Sequence, residues 1–68
     1  MNPEDEPVTD LAVLDRAVQV LGSTSAAMRW MLAPNPELDG ASPRSRLHSR
    51  SGKREVLLVL ARLGAKES

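Results

Sequence analysis

Glycine and proline divide this chain into segments that can form only short helices. Gly22 and Gly64 stand where a residue in the left-handed conformation commonly ends a helix. Pro34 disfavours helical geometry in the residue before it, and Ser42-Pro43 combines a serine cap with a proline in the first helical turn. The apolar residues are mostly Leu, Val and Ala, with one Trp and no Phe or Tyr, which suits helices better than sheets. We therefore predict an all-α fold, a small bundle of about four helices, two of them short.

Polar caps and apolar periodicity give the bounds of the predicted domain. Residues 1–8 contain two prolines and three acids, and are predicted to be a flexible acidic tail. Hydroxyl side chains are expected to cap three helices: Thr9 the first, Ser23 or Ser25 the second, and Ser49 or Ser51 the last. Apolar residues at helical spacing mark the buried stripes of the first and last helices: Leu11, Leu14, Val18, Leu21, Val56, Val59, Leu60 and Leu63. The predicted domain spans residues 9–64, with Gly64 ending the last helix and residues 65–68 forming a tail.

The small size of the chain limits the stability of its core. A 68-residue chain buries only about 60% of its unfolded surface, and such a core supplies about 3–5 kcal/mol. With no Cys and a single His, neither disulfides nor a zinc site can add to this. A partner that binds the folded state would add stability by mass action. We expect at most a weak homodimer, formed through the apolar residues of the first helix: Leu11, Val13, Leu14 and Val20.

The reactive side chains argue against catalysis. His48 is the only histidine, and it lies in an arginine-rich stretch with no carboxylate close to it in the sequence. A general base needs an orienting partner, and none can be named here. The four glycines are spaced as helix punctuation rather than as a phosphate-binding loop. We predict that the chain is not an enzyme and has no catalytic residue, no metal site and no cofactor.

Apolar runs in the sequence are short. None approaches the ~20 residues that are needed to span a membrane. The N-terminus also lacks the basic and apolar layout of a signal peptide. We therefore expect a cytoplasmic protein without a membrane partner.

Positive charge is concentrated in residues 44–54, although the net charge of the chain is zero. This basic stretch holds five cations and no acid: Arg44, Arg46, Arg50, Lys53 and Arg54. Three interpretations of this stretch remain open. It forms a solvated surface, it binds the phosphates of DNA or RNA, or it contacts an acidic partner protein. The lack of an aromatic residue among the cations and the neutral net charge both disfavour nucleic acid.

Leu58 is an unusual residue of the predicted last helix. It shares a face with Arg54 and Arg62, opposite the buried stripe. Either this helix is packed on two sides, or Leu58 is an exposed anchor between two arginines. Apolar side chains and arginine are typical of protein interfaces.

A set of residues from Gly22 to Leu63 follows the pattern of a known family without a gap: Gly22-Ser23, Ala27, Trp30-Met31, Pro34-Asn35-Pro36, Leu38, Gly40, Ser42-Pro43, Gly52, Val56, Leu60 and Arg62-Leu63. On this ordered set the chain resembles the toxin-binding domain of Xre/MbcA/ParS-type antitoxins. These are bacterial proteins of type II toxin-antitoxin systems, which neutralise toxins acting on NAD.

The resemblance implies an antitoxin that binds a cognate toxin and shields its active site. The implied toxin is of the RES-domain NAD-degrading type or of the ADP-ribosylating type, and the chain itself is not expected to bind NAD. Only about twenty residues precede Gly22, too few for the helix-turn-helix domain of many family members, so operator binding is not expected. Arg44-Ser45-Arg46 replaces a stretch that is often acidic in the family, which bears on the choice of toxin. The alternative function is a small nucleic-acid-binding transcriptional regulator that uses residues 44–54.

We assign candidate residues to two groups. Toxin binding is assigned to Asn35, Arg44, Arg46, Arg50, Lys53, Arg54, Leu58 and Arg62. The structural core of the motif is assigned to Trp30, Pro34, Pro36, Leu38, Gly40, Pro43, Gly52, Val56 and Leu60. Trp30 is the only large ring and is expected to centre the core between the first, second and last helices. Pro34, Asn35 and Pro36 are expected to fix a turn.

Overall fold

The structure, a computed structural model, describes the backbone of residues 9–67 and the side chains of residues 9–66. The predicted acidic tail, residues 1–8, lies outside the described residues. Three α-helices and two 3-10 turns follow one another: α1 (Asp10–Leu21), α2 (Thr24–Leu32), the first 3-10 turn (Pro36–Leu38), the second 3-10 turn (Pro43–Arg46) and α3 (Arg50–Glu67). The all-α fold predicted from the sequence is confirmed, and the predicted third helix is the second 3-10 turn.

The helices begin at hydroxyl caps. Thr9 Oγ1 accepts a hydrogen bond from the main-chain N–H of Ala12 (3.0 Å) and opens α1. Ser23 caps α2 in the same way, through the N–H of Ala26 (3.1 Å). At the start of α3, Ser49 Oγ accepts from the N–H of Gly52 (3.0 Å). Where the sequence left two candidates open, the first serine of each pair is the cap, because it lies three residues before a free N–H of the first turn.

Two helices end as the sequence predicts, and the third does not. Gly22 ends α1 with a φ of 92°, and Ala33 leaves α2 in an extended conformation just before Pro34. The predicted end of α3 at Gly64 is wrong, since the helix continues to Glu67 and takes in most of the predicted tail. Gly64 stays helical because it is half-buried beside α1, where Val20 lies closest to it.

The core lies where α1 packs against both α2 and α3. Its buried side chains are aliphatic throughout: Val13, Ala17, Ala27, Met31, Leu38, Leu47, Val56, Val59 and Leu60. Leu38 and Leu47 come from the turns between α2 and α3, so burial of these two side chains fixes the connecting chain on the bundle. Val13 is fully buried in this core, and its predicted place in a homodimer contact is therefore wrong.

Trp30 does not centre the core, contrary to the prediction. The indole is half-buried and packs against the margin of the buried cluster. Two of the fully buried positions, Ala17 on α1 and Ala27 on α2, hold small side chains. Small buried side chains favour a close approach of the helices that carry them over space for a ring. Trp30 therefore lies at the rim of the domain, where one edge of the ring meets solvent.

Candidate functional site

Asn35 organises the loop that joins α2 to the second 3-10 turn. Its main-chain N–H donates to the carbonyl of Ala41 (3.0 Å), and its own carbonyl accepts from the N–H groups of Leu38 (3.0 Å) and Gly40 (2.9 Å). The side-chain Oδ1 accepts from the N–H of Glu37 (2.9 Å) and caps the first 3-10 turn. Asn35 was assigned to toxin binding, but its carboxamide oxygen already accepts this hydrogen bond inside the loop. Asn35 acts mainly as the residue that closes residues 35–41.

The predicted motif separates into buried and exposed parts. Its buried members fill the core or the joint between elements: Leu38, Pro43, Gly52, Val56 and Leu60. Pro34, Pro36 and Gly40 are exposed and shape the loop instead. Gly40 has a φ of 85° directly after Asp39 at 57°, and two consecutive positive φ values are tolerated far better when one residue is glycine. Five of the nine residues assigned to the structural core of the motif are thus buried, and Pro34 and Pro36 lie in the loop where a turn was expected.

Gly52 is buried because the start of α3 lies against the second 3-10 turn. A Cβ added at Gly52 would overlap the main-chain carbonyl oxygen of Arg46 and crowd Ser49 Oγ. Only glycine allows this close approach. In the motif, the glycine at a fixed distance after Ser42-Pro43 is therefore the residue of α3 that contacts the second 3-10 turn.

A shallow surface cleft lies beside the loop, and we call it the motif cleft. It is lined by Trp30, Ala33, Pro34, Asn35, Pro36, Glu37, Leu63 and Lys66, and has a volume of about 470 Å³. The half-buried indole and two prolines supply apolar surface, while Glu37 and Lys66 supply both signs of charge. Such a combination of a ring, rigid loop and polar rim is typical of protein-contact surfaces.

A row of residues four positions apart crosses the exposed side of α3, and we call it the basic row: Arg50, Arg54, Leu58, Arg62 and Lys66. All five are exposed, and Leu58 keeps 56% of its surface in contact with solvent. Of the two alternatives left open for Leu58, the structure shows the exposed one, on the same side of α3 as Arg54 and Arg62. Residues at this spacing form a ridge on a helix, so the row presents four cations around one leucine.

The basic row and the motif cleft meet at the C-terminal half of α3. Lys66 belongs to both, and Arg62 Nη1 lies 3.5 Å from Glu37 Oε1, at the edge of the cleft. The side chains of Arg50 and Arg54 make no hydrogen bond or ion pair with any residue in the described part of the chain. Their charges are available to a partner, whereas that of Arg62 is shared with Glu37.

The other three cations of the predicted basic stretch interact with residues of the fold itself. Arg46 donates from Nη2 to the carbonyl of Leu38 (3.1 Å), and its Nη1 lies 3.6 Å from Glu55 Oε2. Lys53 Nζ and Arg44 Nη1 lie 3.5 Å and 3.7 Å from the carboxylate of Asp10 at the start of α1. The structure does not bring the eight predicted toxin-binding residues to one surface. Arg46 and Lys53 tie elements together, and Arg44 pairs with Asp10 of α1.

Sequence reasoning missed an apolar groove between α1 and α2. The groove has a volume of about 230 Å³, and its lining includes Leu11, Leu14, Met28 and Leu32, with Asp10 and Arg44 at its rim. Met28 and Leu32 stand four residues apart on α2, which places them on one side of that helix. The four-residue spacing of Met28 and Leu32 could have indicated the groove from the sequence. However, α2 has only nine residues, so an apolar side besides the buried one is hard to recognise.

Two further findings concern the chemistry of the surface. Among residues 9–66, no group of three or more His, Cys, Asp or Glu side chains is placed to hold a metal ion. In the same part of the chain, no helix combines the length and apolar character needed to cross a membrane.

Comparison with known proteins gives one match. No curated protein and no solved structure matches the chain. Residues 16–66 match the family model described as the antitoxin Xre/MbcA/ParS C-terminal toxin-binding domain. This match covers the motif cleft and the basic row, and it takes in most of the chain. The chain therefore belongs to the family of Xre/MbcA/ParS antitoxin toxin-binding domains.

Proposed function

We propose that this chain neutralises a toxin acting on NAD by covering the active site of that toxin, with the basic row and the motif cleft as the contact surface. One observation carries the choice of surface: the two features are continuous through Lys66. Together they offer a projecting leucine, a tryptophan edge and cations on one side of the molecule. We infer a RES-domain or ADP-ribosylating toxin from the family alone.

The chemistry of this surface specifies the complementary surface on the toxin. Leu58 needs an apolar recess, because an exposed leucine gains free energy only when water is removed from it. Arg50 and Arg54 favour carboxylates around that recess, since neither has an acidic partner within the described residues. Trp30 supplies a second anchor of the type that dominates interface energies. The expected toxin surface is therefore acidic with an apolar centre.

Inhibition by this surface is steric and needs no catalytic group. A rigid body of three helices placed over the entrance of an NAD site would exclude the dinucleotide without contacting it. The chain would therefore inhibit in proportion to the amount bound, and it would leave free NAD unchanged. The cytoplasm, where NAD is consumed by such toxins, is the expected location.

Binding of nucleic acid through residues 44–54 is the weaker proposal. Asp10 lies between Arg44 and Lys53, and Glu55 lies beside Arg46, so three of the five cations already face a carboxylate. This leaves Arg50 and Arg54 as the unpaired cations of the stretch. Two phosphate contacts give little affinity at physiological salt.

The test uses the product of the neighbouring reading frame as the candidate toxin. NAD consumption or ADP-ribosylation by that product is measured while the chain is added, and binding is measured by calorimetry. Stoichiometric inhibition is expected. Absence of binding at micromolar concentration, or activity of the product without NAD, would contradict the proposal.

The surface is tested with two leucines of similar exposure. Leu58→Asp should weaken toxin binding by about 5- to 150-fold, which corresponds to about 1–3 kcal/mol. Leu11→Asp is the matched control, because Leu11 is also exposed but lies in the apolar groove. Both variants should melt close to the unchanged chain. Equal binding by the two variants would place the toxin contact elsewhere.

A further inference from the structure

The charges of this chain are divided unevenly between the acidic tail, residues 1–8, and the domain that follows it. Glu4, Asp5 and Glu6 give the tail three negative side chains, and the tail holds no Lys or Arg. All nine cations and the other six of the nine acids follow residue 8, so the rest of the chain carries three net positive charges. The tail and the domain are therefore complementary in charge.

The tail joins the domain beside the basic stretch. Asp10, the first residue of α1, lies 3.5 Å from Lys53 Nζ and 3.7 Å from Arg44 Nη1 through its two carboxylate oxygens. On α3, Arg54 directly follows Lys53, and Arg50 precedes it by three residues. Both arginines thus stand within one helical turn, about 5 Å along the axis, of the lysine that contacts the start of α1.

The carboxylates of the tail are close enough along the chain to reach these arginines. An extended chain spans about 10 Å from Thr9 to Glu6 and about 17 Å from Thr9 to Glu4. The long side chains of Glu and Arg add to this reach. A tether of this length holds the effective concentration of a contact near the millimolar range.

Arg50 and Arg54 are the favoured partners among the cations of the domain. Both side chains are exposed and pair with no acid in the described residues, whereas four other cations already face a carboxylate. The remaining three stand singly on α1, on α2 and at the end of α3: Arg16, Arg29 and Lys66. Arg50 and Arg54 lie four residues apart on one side of α3, so two carboxylates can be paired there at once.

We propose that the acidic tail binds Arg50 and Arg54 of the same molecule and covers the first half of the basic row. Exposed ion pairs are individually weak and are screened by salt, so this contact forms at low ionic strength and yields to a stronger acidic surface. The tail therefore competes with any acidic partner for the two arginines. The contact itself does not rest on the proposed function, although a toxin that binds the basic row would have to displace the tail.

Zero-length cross-linking of the full chain tests the contact directly. A carbodiimide joins a carboxylate to an amine only when the two groups meet, and Arg54→Lys supplies an amine at the proposed site. Arg29→Lys is the matched control, because Arg29 is also exposed on a helix and has no acidic partner in the described residues. Residues 4–6 should be joined to position 54 about threefold or more above position 29, as expected for a tethered contact. The yield should fall at 1 M salt, where the Debye length is about 3 Å.

Nuclear magnetic resonance gives a second measurement, on the arginines themselves. The tail variant replaces the three acids by amides: Glu4→Gln, Asp5→Asn and Glu6→Gln. At low salt it should shift the Nε–H signals of Arg50 and Arg54 and leave that of Arg29 unchanged. Asp15→Asn, which neutralises an exposed acid of α1, is the control and should leave the signals of both α3 arginines in place.

Toxin binding by the tail variant separates this inference from the proposed function. The variant should bind a toxin about 2- to 10-fold tighter at low salt, because the two arginines no longer have to be uncovered. Equal toxin affinity, with the cross-links and signal shifts still present, would contradict the basic row as the toxin contact and support the tail contact. Three results would overturn the inference: links found only between isotope-labelled and unlabelled molecules, links as frequent at position 29 as at position 54, or Arg50 and Arg54 signals that do not respond to the tail variant.

Discussion

Two glycines of α3 have different surroundings and should respond to alanine in opposite directions. At Gly52, a Cβ would overlap the carbonyl oxygen of Arg46. At Gly64, the nearest atom to such a Cβ is a methyl carbon of Val20 at 3.7 Å, which is ordinary contact. Both residues are helical, so intrinsic helix propensity alone favours alanine at both positions by up to about 1 kcal/mol.

The expected change in the free energy of unfolding for Gly52→Ala is the sum of the cost of the overlap and the gain in helix propensity. Overpacking in a filled site costs about 1–3 kcal/mol, and a main-chain carbonyl cannot rotate away as a side chain can. The cost therefore lies near 3 kcal/mol, and helix propensity offsets about 1 kcal/mol of it. A net loss of about 2 kcal/mol is a large part of the ~3–5 kcal/mol that a domain of this size supplies. At roughly 4–8 °C per kcal/mol, Gly52→Ala should lower the Tm by about 8–16 °C.

Thermal melting followed by circular dichroism measures both variants beside the unchanged chain. Gly64→Ala should raise the Tm by about 2–8 °C, for a gain of about 0.5–1 kcal/mol. Chemical denaturation at 25 °C gives the free energy of unfolding as a second measurement. If Gly52→Ala melted at or above the unchanged chain, the close contact between α3 and the second 3-10 turn would be refuted. A loss at Gly64 as well would refute the ordinary contact between a Cβ at that position and Val20.

Five further substitutions separate structural from binding roles. Trp30→Ala should cost about 1–2 kcal/mol, less than a central ring would, because the indole is half-buried; its folded fraction should bind toxin more weakly in calorimetry. Asn35→Ala should cost about 0.5–2 kcal/mol by removing the cap on Glu37, whereas Asn35→Asp keeps an acceptor and should melt close to the unchanged chain. Arg46→Met should lower the free energy of unfolding by about 1 kcal/mol, because the hydrogen bond to the carbonyl of Leu38 is lost. Arg44→Met should change it by less than about 0.5 kcal/mol, as expected for a surface substitution.

The starts of the helices and the turns between them could be predicted from the sequence because the interactions that fix them are local. Thr9 and Ser42 each accept from an N–H three residues later, and Gly22 adopts the conformation that glycine alone takes easily. Gly64 has the same residue type as Gly22 but remains helical. Its neighbour Val20 lies on α1, more than forty residues earlier in the chain, and no local pattern reports such a neighbour.

The position of Trp30 could not be predicted, for a related reason. Ring size and hydrophobicity favour the centre of a core, but the space available is set by the side chains on the facing helices. Ala17 on α1 and Ala27 on α2 are small and fully buried, which favours a close approach of helices over space for an indole. The sequence contains both alanines, yet their burial follows only from the packing of the helices.

The basic stretch shows why the candidate site was only partly predictable. In the sequence, Arg46, Arg50 and Arg54 are equivalent members of one charge cluster. In the fold, Arg46 lies where Glu55 and the carbonyl of Leu38 can reach it, whereas the side chains of Arg50 and Arg54 pair with no acid in the described chain. Helical spacing identified Arg54 and Arg62 together with Leu58, because periodicity fixes which residues of α3 oppose its buried stripe. Which cation of the preceding loop is neutralised depends on contacts across the fold, and these contacts leave the unpaired cations of the stretch on α3.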